Sequence, residues 1–242
     1  MKELNGKRLI LTGAGGGIGR AAAEKLARCG MKLVLLGGND QQKLEATADL
    51  VRKYTDCEVL PGDLSNMEFL QNAASEAAGI FGGVDVLINN AGVTQNTPFE
   101  EVTFEEFDRI MTVNNKVPFF LTRALLPHLR RSAAASIINI ASVVAHLGYP
   151  LQSVYSASKH ALLGWSKSLA RECYKDNIRV HAISPGGVYT DMVKISRPDL
   201  TAEGMIMPEE IADIIHFFLA NRGNAVIDEI IVHRVNKEPF MV

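Results

Sequence analysis

The 242-residue chain has little cysteine: three residues, scattered at Cys29, Cys57 and Cys173. An odd, widely spaced set excludes a disulfide scaffold, offers no metal-ligand spacing and suits a reducing cytosol. Neither sign of charge prevails, because 25 Lys and Arg against 27 Asp and Glu leave a formal net charge of -2. That balance excludes the basic footprint of a nucleic-acid binder and any acidic tail. Long apolar runs are missing too. The start carries charges, then only Leu9, Ile10 and Leu11 before a polar, glycine-rich stretch, too short a run for a signal-peptide core. No uninterrupted run reaches the roughly 20 residues that span a bilayer. Internal repeats, low-complexity tracts and Pro/Ser-rich linkers are also absent. These absences predict one cytoplasmic domain over residues 1–242, with no metal, no membrane and no nucleic-acid partner.

What is present is a rhythm. Short β-like runs at residues 8–12, 32–36, 58–60, 84–88, 136–140, 178–183 and 229–233 alternate with helical stretches at 18–29, 41–53, 67–78, 104–129, 153–174 and 208–220. The runs are apolar without strict alternation, as parallel strands covered on both faces require. The βα order predicts an α/β fold with an open, doubly wound parallel sheet of about seven strands.

The first strand runs into Thr12-Gly13-Ala14-Gly15-Gly16-Gly17-Ile18-Gly19, and a helix follows at once. Strand, glycine turn and helix together can hold a pyrophosphate: glycines let the backbone come close, and the helix N-terminus offers unpaired N–H groups. Gly13, Gly15, Gly17, Ile18 and Gly19 are the cofactor-binding candidates there. An acid usually ends the second strand to bind the adenosine ribose, or a basic residue binds a 2′-phosphate. Here the strand ends Leu35-Leu36-Gly37-Gly38-Asn39-Asp40. Gly38 stands where the acid would be, Asn39 beside it is a further cofactor-binding candidate although it supplies no cation, and Asp40 is placed to cap the next helix. The choice between NAD and NADP stays open at this point.

Tyr155 and Lys159 lie four residues apart near the start of a long helix, on one face and one turn apart. A nearby ammonium favours a phenolate, which lets a Tyr act near neutrality. Ser142 lies just past the fifth strand, where a hydroxyl can meet a substrate oxygen. Asn89-Asn90-Ala91-Gly92 closes the fourth strand and Ser184-Pro185-Gly186 the sixth, at the edge where such sheets bind ligands. Asn114 lies within the helix over 104–129.

On these residues the sequence resembles the short-chain dehydrogenase/reductase family, with its TGxxxGxG turn at 12–19, NNAG at 89–92 and YxxxK at 155–159. The resemblance runs from about Asn5 to about Val235 and implies a Rossmann-like fold and an NAD(P)(H)-dependent oxidoreductase. Tyr155 would be general acid in reduction and general base in oxidation. Lys159 would lower its pKa and hold the nicotinamide ribose, Ser142 would orient the carbonyl, and Asn114 would support a water-linked proton relay. Asp63, with Leu64, matches the position that contacts adenine. Asn90, Ala91 and Gly92 would flank the cofactor with Pro185 and Gly186, while Val188 and Thr190 would hold the nicotinamide carboxamide. Each has a plainer alternative: Asn114 as a backbone-bonding group in a kinked helix, Asp63 as a helix cap, Thr190 as a turn closer, and Asn89 as support for the sheet edge.

By the same resemblance, residues 143–152, with His146, Tyr149 and Gln152, line a substrate pocket, and Thr94, Gln95 and Asn96 add polar groups opposite. Residues 187–207 form a lid carrying Met192, Lys194, Arg197, Met205 and Met207. The substrate would be a small or medium ketone or aldehyde and its alcohol, with a lean to NADP(H) because no acid stands at Gly38. The competing reading is a non-catalytic dinucleotide-binding sensor or scaffold that keeps the fold. A homotetramer or homodimer is implied, built on the helices over 104–129 and 153–174, where Ala161, Leu162, Leu163 and Trp165 give more apolar surface than one core stripe needs. The family's Asp-Gly-Gly ending is replaced by Val232-His233-Arg234-Val235-Asn236, a tail set either over the site or against a neighbouring subunit.

Overall fold

The computed structural model describes residues 4–38, 40–196, 199 and 201–238. Seven parallel strands, β1 (Arg8–Thr12), β2 (Lys32–Leu36), β3 (Cys57–Leu60), β4 (Val86–Asn89), β5 (Ala135–Ile140), β6 (Ile178–Pro185) and β7 (Glu229–Val232), lie in the order β3-β2-β1-β4-β5-β6-β7. The order reverses between β1 and β4, which opens a crevice at the carboxyl ends of those strands. Helices cover both faces: α1 (Gly17–Ala27), α2 (Gln41–Val51), α3 (Met67–Ile80), α4 (Phe104–Met111), α5 (Val117–Leu129), α6 (Ser153–Cys173), α7 (Asp191–Ser196) and α8 (Pro208–Ala220).

The strands are mostly apolar because the sheet feeds two cores. Leu9, Leu11, Leu33, Leu35 and Ile88 pack on one side with α1 and α8. Ile10, Val34, Leu36 and Leu87, the alternate residues, pack on the other with α3 and α5. The amino ends of the strands are locked by Asp85, which accepts from Arg8 Nε at 2.8 Å, Arg8 N at 2.9 Å and Ser132 Oγ at 2.6 Å. These bonds outweigh burial and hold its carboxyl down at about 2.

Two elements differ from the sequence reading. The stretch over 104–129 is not one α-helix: a π-helical segment, Thr112–Lys116, separates α4 from α5. Pro118 lacks the N–H that would close an α-helical bond to the Asn114 carbonyl, so the widened turn falls there. The expected lid loop also contains a short helix, α7. No helix of the described residues is long and apolar enough to cross a membrane, and none of their His, Cys, Asp and Glu side chains cluster as a metal site.

Candidate active site

A cavity of about 240 Å³ opens at the carboxyl ends of β1, β4, β5 and β6. It is lined by Gly13, Gly16, Gly17 and Ile18 from the glycine turn, Asn90, Ala91 and Gly92 after β4, Ser142, Tyr155 and Lys159, and Pro185, Gly186, Val188 and Thr190 after β6. Asp191, Met192 and Val193 of α7 also line it. Motifs far apart in sequence therefore meet around one space.

The turn is built for close backbone approach. Gly13 adopts φ 71°, and a Cβ on it would stand 2.8 Å from the Ala91 Cα. Thr12 Oγ1 accepts from the N–H groups of Asn90 and Ala91, both at 3.1 Å, and Asn90 Nδ2 donates to the Gly13 carbonyl at 3.0 Å. The Asn90 side chain thus braces the turn. Gly19 does not reach the cavity; it lets α1 approach the Gly13 carbonyl, 2.2 Å from where its Cβ would lie. Gly15 stays outside as well, under Lys43, whose Cβ would be 3.4 Å from a Gly15 Cβ. The N-cap of α1, Gly16, has no side-chain cap, and the first turn holds no acid. An N-terminus without its own anion, facing a cavity walled by glycine backbone, fits a pyrophosphate.

A buried polar ladder sets the catalytic helix. Asn139 on β5 donates to Ser166 Oγ on α6 at 2.7 Å and accepts from Asn89 at 2.8 Å, and Asn89 donates to Thr122 on α5 at 3.0 Å. Asn89 therefore supports the sheet edge, as its plainer reading had it. The ladder fixes α6 over β5, which carries Tyr155 and Lys159 to the cavity. Lys159 is 4% exposed, donates to the Ile140 carbonyl at 2.8 Å, and lies 5.9 Å from the centre of the Tyr155 ring. Burial without an acid partner pushes its ammonium down to about 8. Tyr155 moves the other way: burial raises the phenol, and its bond with Ser142 only partly offsets that. Ser142 Oγ donates to the Pro185 carbonyl at 3.4 Å and accepts from Val144 N at 3.3 Å, which aims it between β5 and β6.

Asn114 sits in the π segment, 1% exposed, outside the cavity lining. It accepts from Val93 N at 2.8 Å and donates to the Val93 carbonyl at 2.9 Å and to Ser158 Oγ at 3.1 Å. Its side chain is therefore spent on bracing. Asp63 is exposed and closes a turn by accepting from Ser65 N at 2.9 Å, while Asn66 caps α3. Leu64 packs under Gly37. Asp40 caps α2 by accepting from Lys43 N at 3.0 Å. Asn39 and Arg197 lie outside the described residues.

In the substrate region, His146 Nε2 lies 2.7 Å from Glu229 Oε1, a structural tie to β7. Lys194 pairs with Asp191 at 3.4 Å. The tail packs on the segment before α8: Arg234 reaches Met205 Sδ at 3.2 Å, and the Asn236 side chain lies beside Gly204. Gln95, read as a pocket group, is buried and turned to the start of α6 instead. Sequence reasoning missed that role and the placement of Lys43. The only sequence signal for Lys43 was a basic residue three places after the capping Asp40.

Fold, glycine turn and the Ser, Tyr and Lys cluster together define a dinucleotide-dependent oxidoreductase. The chain belongs to the short-chain dehydrogenase family, whose model (short chain dehydrogenase) matches residues 7–201. It is 38% identical over 192 residues to a short-chain dehydrogenase/reductase of Pestalotiopsis microspora, covering 78% of this chain and 72% of that one. It is 31% identical to the 3-oxoacyl-(acyl-carrier-protein) reductase of Rickettsia felis over the full length of both. Among solved structures it resembles an alcohol dehydrogenase from Thermococcus sibiricus complexed with 5-hydroxy-NADP. That match has a TM-score of 0.87 and 27% identity, and covers 96% of this chain and 98% of that one.

Proposed function

We propose that this protein reduces a small or medium ketone or aldehyde to its alcohol, with Tyr155 as general acid and as general base in the reverse direction. The observation that carries the reading is the meeting of Ser142, Tyr155 and Lys159 in the cavity that also receives the α1 N-terminus. A bound nicotinamide cofactor supplies the hydride. Gly13, Gly17, Ile18 and the α1 N-terminus would hold its pyrophosphate. Asn90, Ala91, Gly92, Pro185, Gly186, Val188 and Thr190 would flank the nicotinamide half, and Asp63 and Leu64 the adenine.

Substrate carbonyl oxygen would accept from the Ser142 hydroxyl and from the Tyr155 phenol. A phenol raised by burial is fully protonated at neutral pH, so Tyr155 stands ready as a donor, which favours reduction. The Lys159 amino group uses one donor on Ile140; the others remain for the ribose hydroxyls. Asn114 acts by holding the wall that α6 and Val93 form, and by leaving its carbonyl without a donor from Pro118, a place for a relay water.

NADP(H) is favoured because Gly38 presents no acid to repel a 2′-phosphate, and Lys43, its ammonium 3.8 Å from Asp40, has its stem over Gly15. Residues 1–242 act as one domain with its lid at about 187–207. The exposed Phe104, Phe107 and Phe119 on α4 and α5, 88%, 45% and 44% exposed, support association into a homodimer or homotetramer. The α6 side contributes less than expected, because Leu162 and Leu163 are buried within the chain. Free thiols at Cys29, Cys57 and Cys173 fit a cytoplasmic location.

Turnover of NADPH and NADH with a panel of ketones and aldehydes tests the reading. Wild type should oxidise NADPH with at least one carbonyl and Tyr155→Phe should not. Cofactor binding without turnover across the panel would establish the sensor reading instead.

A further inference from the structure

The first turn of α6 carries Tyr155, yet its own N-cap residue, Gln152, makes no side-chain cap. The N–H groups of a first helical turn need acceptors from elsewhere. A side chain 59 residues upstream supplies them: Gln95 Oε1 accepts from Val154 N at 2.8 Å and from Tyr155 N at 3.2 Å. Those are the second and third residues of the helix, the donors that an N-cap side chain normally takes. Two converging N–H groups also fix which end of the amide is oxygen.

Gln95 is itself held. It is 2% exposed, and its Nε2 faces Glu106 Oε2 at 3.5 Å. Glu106 Oε1 accepts from Thr97 Oγ1 at 2.9 Å, and Thr97 N donates to the carbonyl of Leu151 at 3.0 Å. Leu151 has φ 65°, a left-handed conformation that a leucine keeps only when its surroundings enforce it. The segment after Gly92 is thus pinned to the start of α6 through Gln95 and Thr97. One turn further along α6, Asn114 joins Val93 to Ser158, whose hydroxyl donates to the Tyr155 carbonyl at 2.7 Å.

We propose that Gln95 is a positioning residue for Tyr155, its amide oxygen standing in for the missing N-cap of α6 so that the phenol is held against Ser142. The inference rests on the reading of Tyr155 as the proton donor. Loss of the oxygen frays the turn that carries the phenol, and displacement of a reacting group by a fraction of an ångström costs turnover far more than binding. The contacts of Gln95 are to backbone N–H groups and Glu106, so cofactor affinity stays as it is.

The test uses the full chain with Gln95→Met, which removes the acceptor, Gln95→Glu in a Glu106→Gln background, which keeps the acceptor without facing two carboxylates, and Tyr155→Phe. In NADPH-dependent carbonyl reduction, Met should lower kcat at least about tenfold with the NADPH Kd unchanged, and Glu should restore most of that loss. In parallel, the Tyr155 ring, labelled with 13C at Cζ and assigned by its disappearance in Tyr155→Phe, is titrated without cofactor. Met should move its titration downward, toward an ordinary tyrosine, as the phenol is released to water; Glu should leave it in place. If Met does not fold, Gln95→Asn, which withdraws the oxygen by one methylene, carries the same expectations. Wild-type kcat and an unmoved Tyr155 titration in Met overturn the proposal. So does an equal kcat loss in Met and Glu that tracks only a fall in melting temperature. If Tyr155→Phe turns over at the wild-type rate, the acid/base reading fails instead, and the titration still decides whether Gln95 holds the phenol.

Discussion

Replacing Lys159 by Met should stabilise the protein at neutral pH while abolishing its chemistry. Lys159 is buried with one carbonyl partner, and its ammonium falls from 10.5 to about 8. At about 1.4 kcal/mol per pKa unit, holding that charge in the folded state costs roughly 3 kcal/mol. The folded pKa lies below the unfolded one, so between about 8 and 10.5 the unfolded chain binds a proton that the folded chain does not. Wild-type stability therefore rises with pH across that window, and the full cost is present below about 8. Met has similar length and no charge. It forfeits the bond to Ile140, worth about 1–2 kcal/mol, leaving a net gain of roughly 1–2 kcal/mol at pH ~7. Other titrating groups are common to both proteins and cancel in the difference. Urea unfolding of both, without cofactor, from pH ~7 to ~10, should show the advantage of Met shrinking by about 2–3 kcal/mol as pH rises. Turnover of the Met variant should fall by about a hundredfold or more. A stability difference that stays constant with pH would refute the reasoning.

Gly13→Ala places a Cβ 2.8 Å from Ala91 at φ 71°. Left-handed strain and overpacking together should cost about 3 kcal/mol, read as a lower melting temperature, with weaker NADPH binding. Lys43→Glu, beside Gly15, should raise the Kd for NADPH about tenfold at low salt and less at high salt, and leave NADH nearly unchanged. Asp85, held at about 2, contributes stability above the unfolded carboxylate pKa that is lost as pH falls through about 2. Water reaches Arg8, so Asp85→Asn should cost about 1–2 kcal/mol at neutral pH and flatten the acid limb of the melting curve.

The sheet was legible because its strands are short, mostly apolar runs, and β1, β2 and α8 begin and end where turn and cap chemistry put them. The cavity residues were legible wherever a motif sits at a strand end. Effects that cross the chain were not. The π segment keeps helical periodicity on both sides, so a single helix accounts for the sequence as well as two do; Pro118 four residues after Asn114 was the one local sign. Gln95 looked like a pocket group because its partners, Val154 and Tyr155, are remote in sequence. His146 likewise meets Glu229 only through the pairing of β6 with β7. The six-residue α7 is too short for a helical apolar period to announce it. The direction of the Tyr155 shift depends on burial outweighing its hydrogen bond with Ser142, which residue spacing does not reveal.

The central claim is that the cavity brings a nicotinamide cofactor and a carbonyl together over Ser142, Tyr155 and Lys159 for direct hydride transfer. Its most direct test follows deuterium from NADPH carrying deuterium at both C4 positions into product across a carbonyl panel, with wild type and Tyr155→Phe side by side. Deuterium on the carbinol carbon of the product with wild type, and none with Tyr155→Phe, is the predicted result. An alcohol product without deuterium, or equal transfer by both proteins, would contradict it.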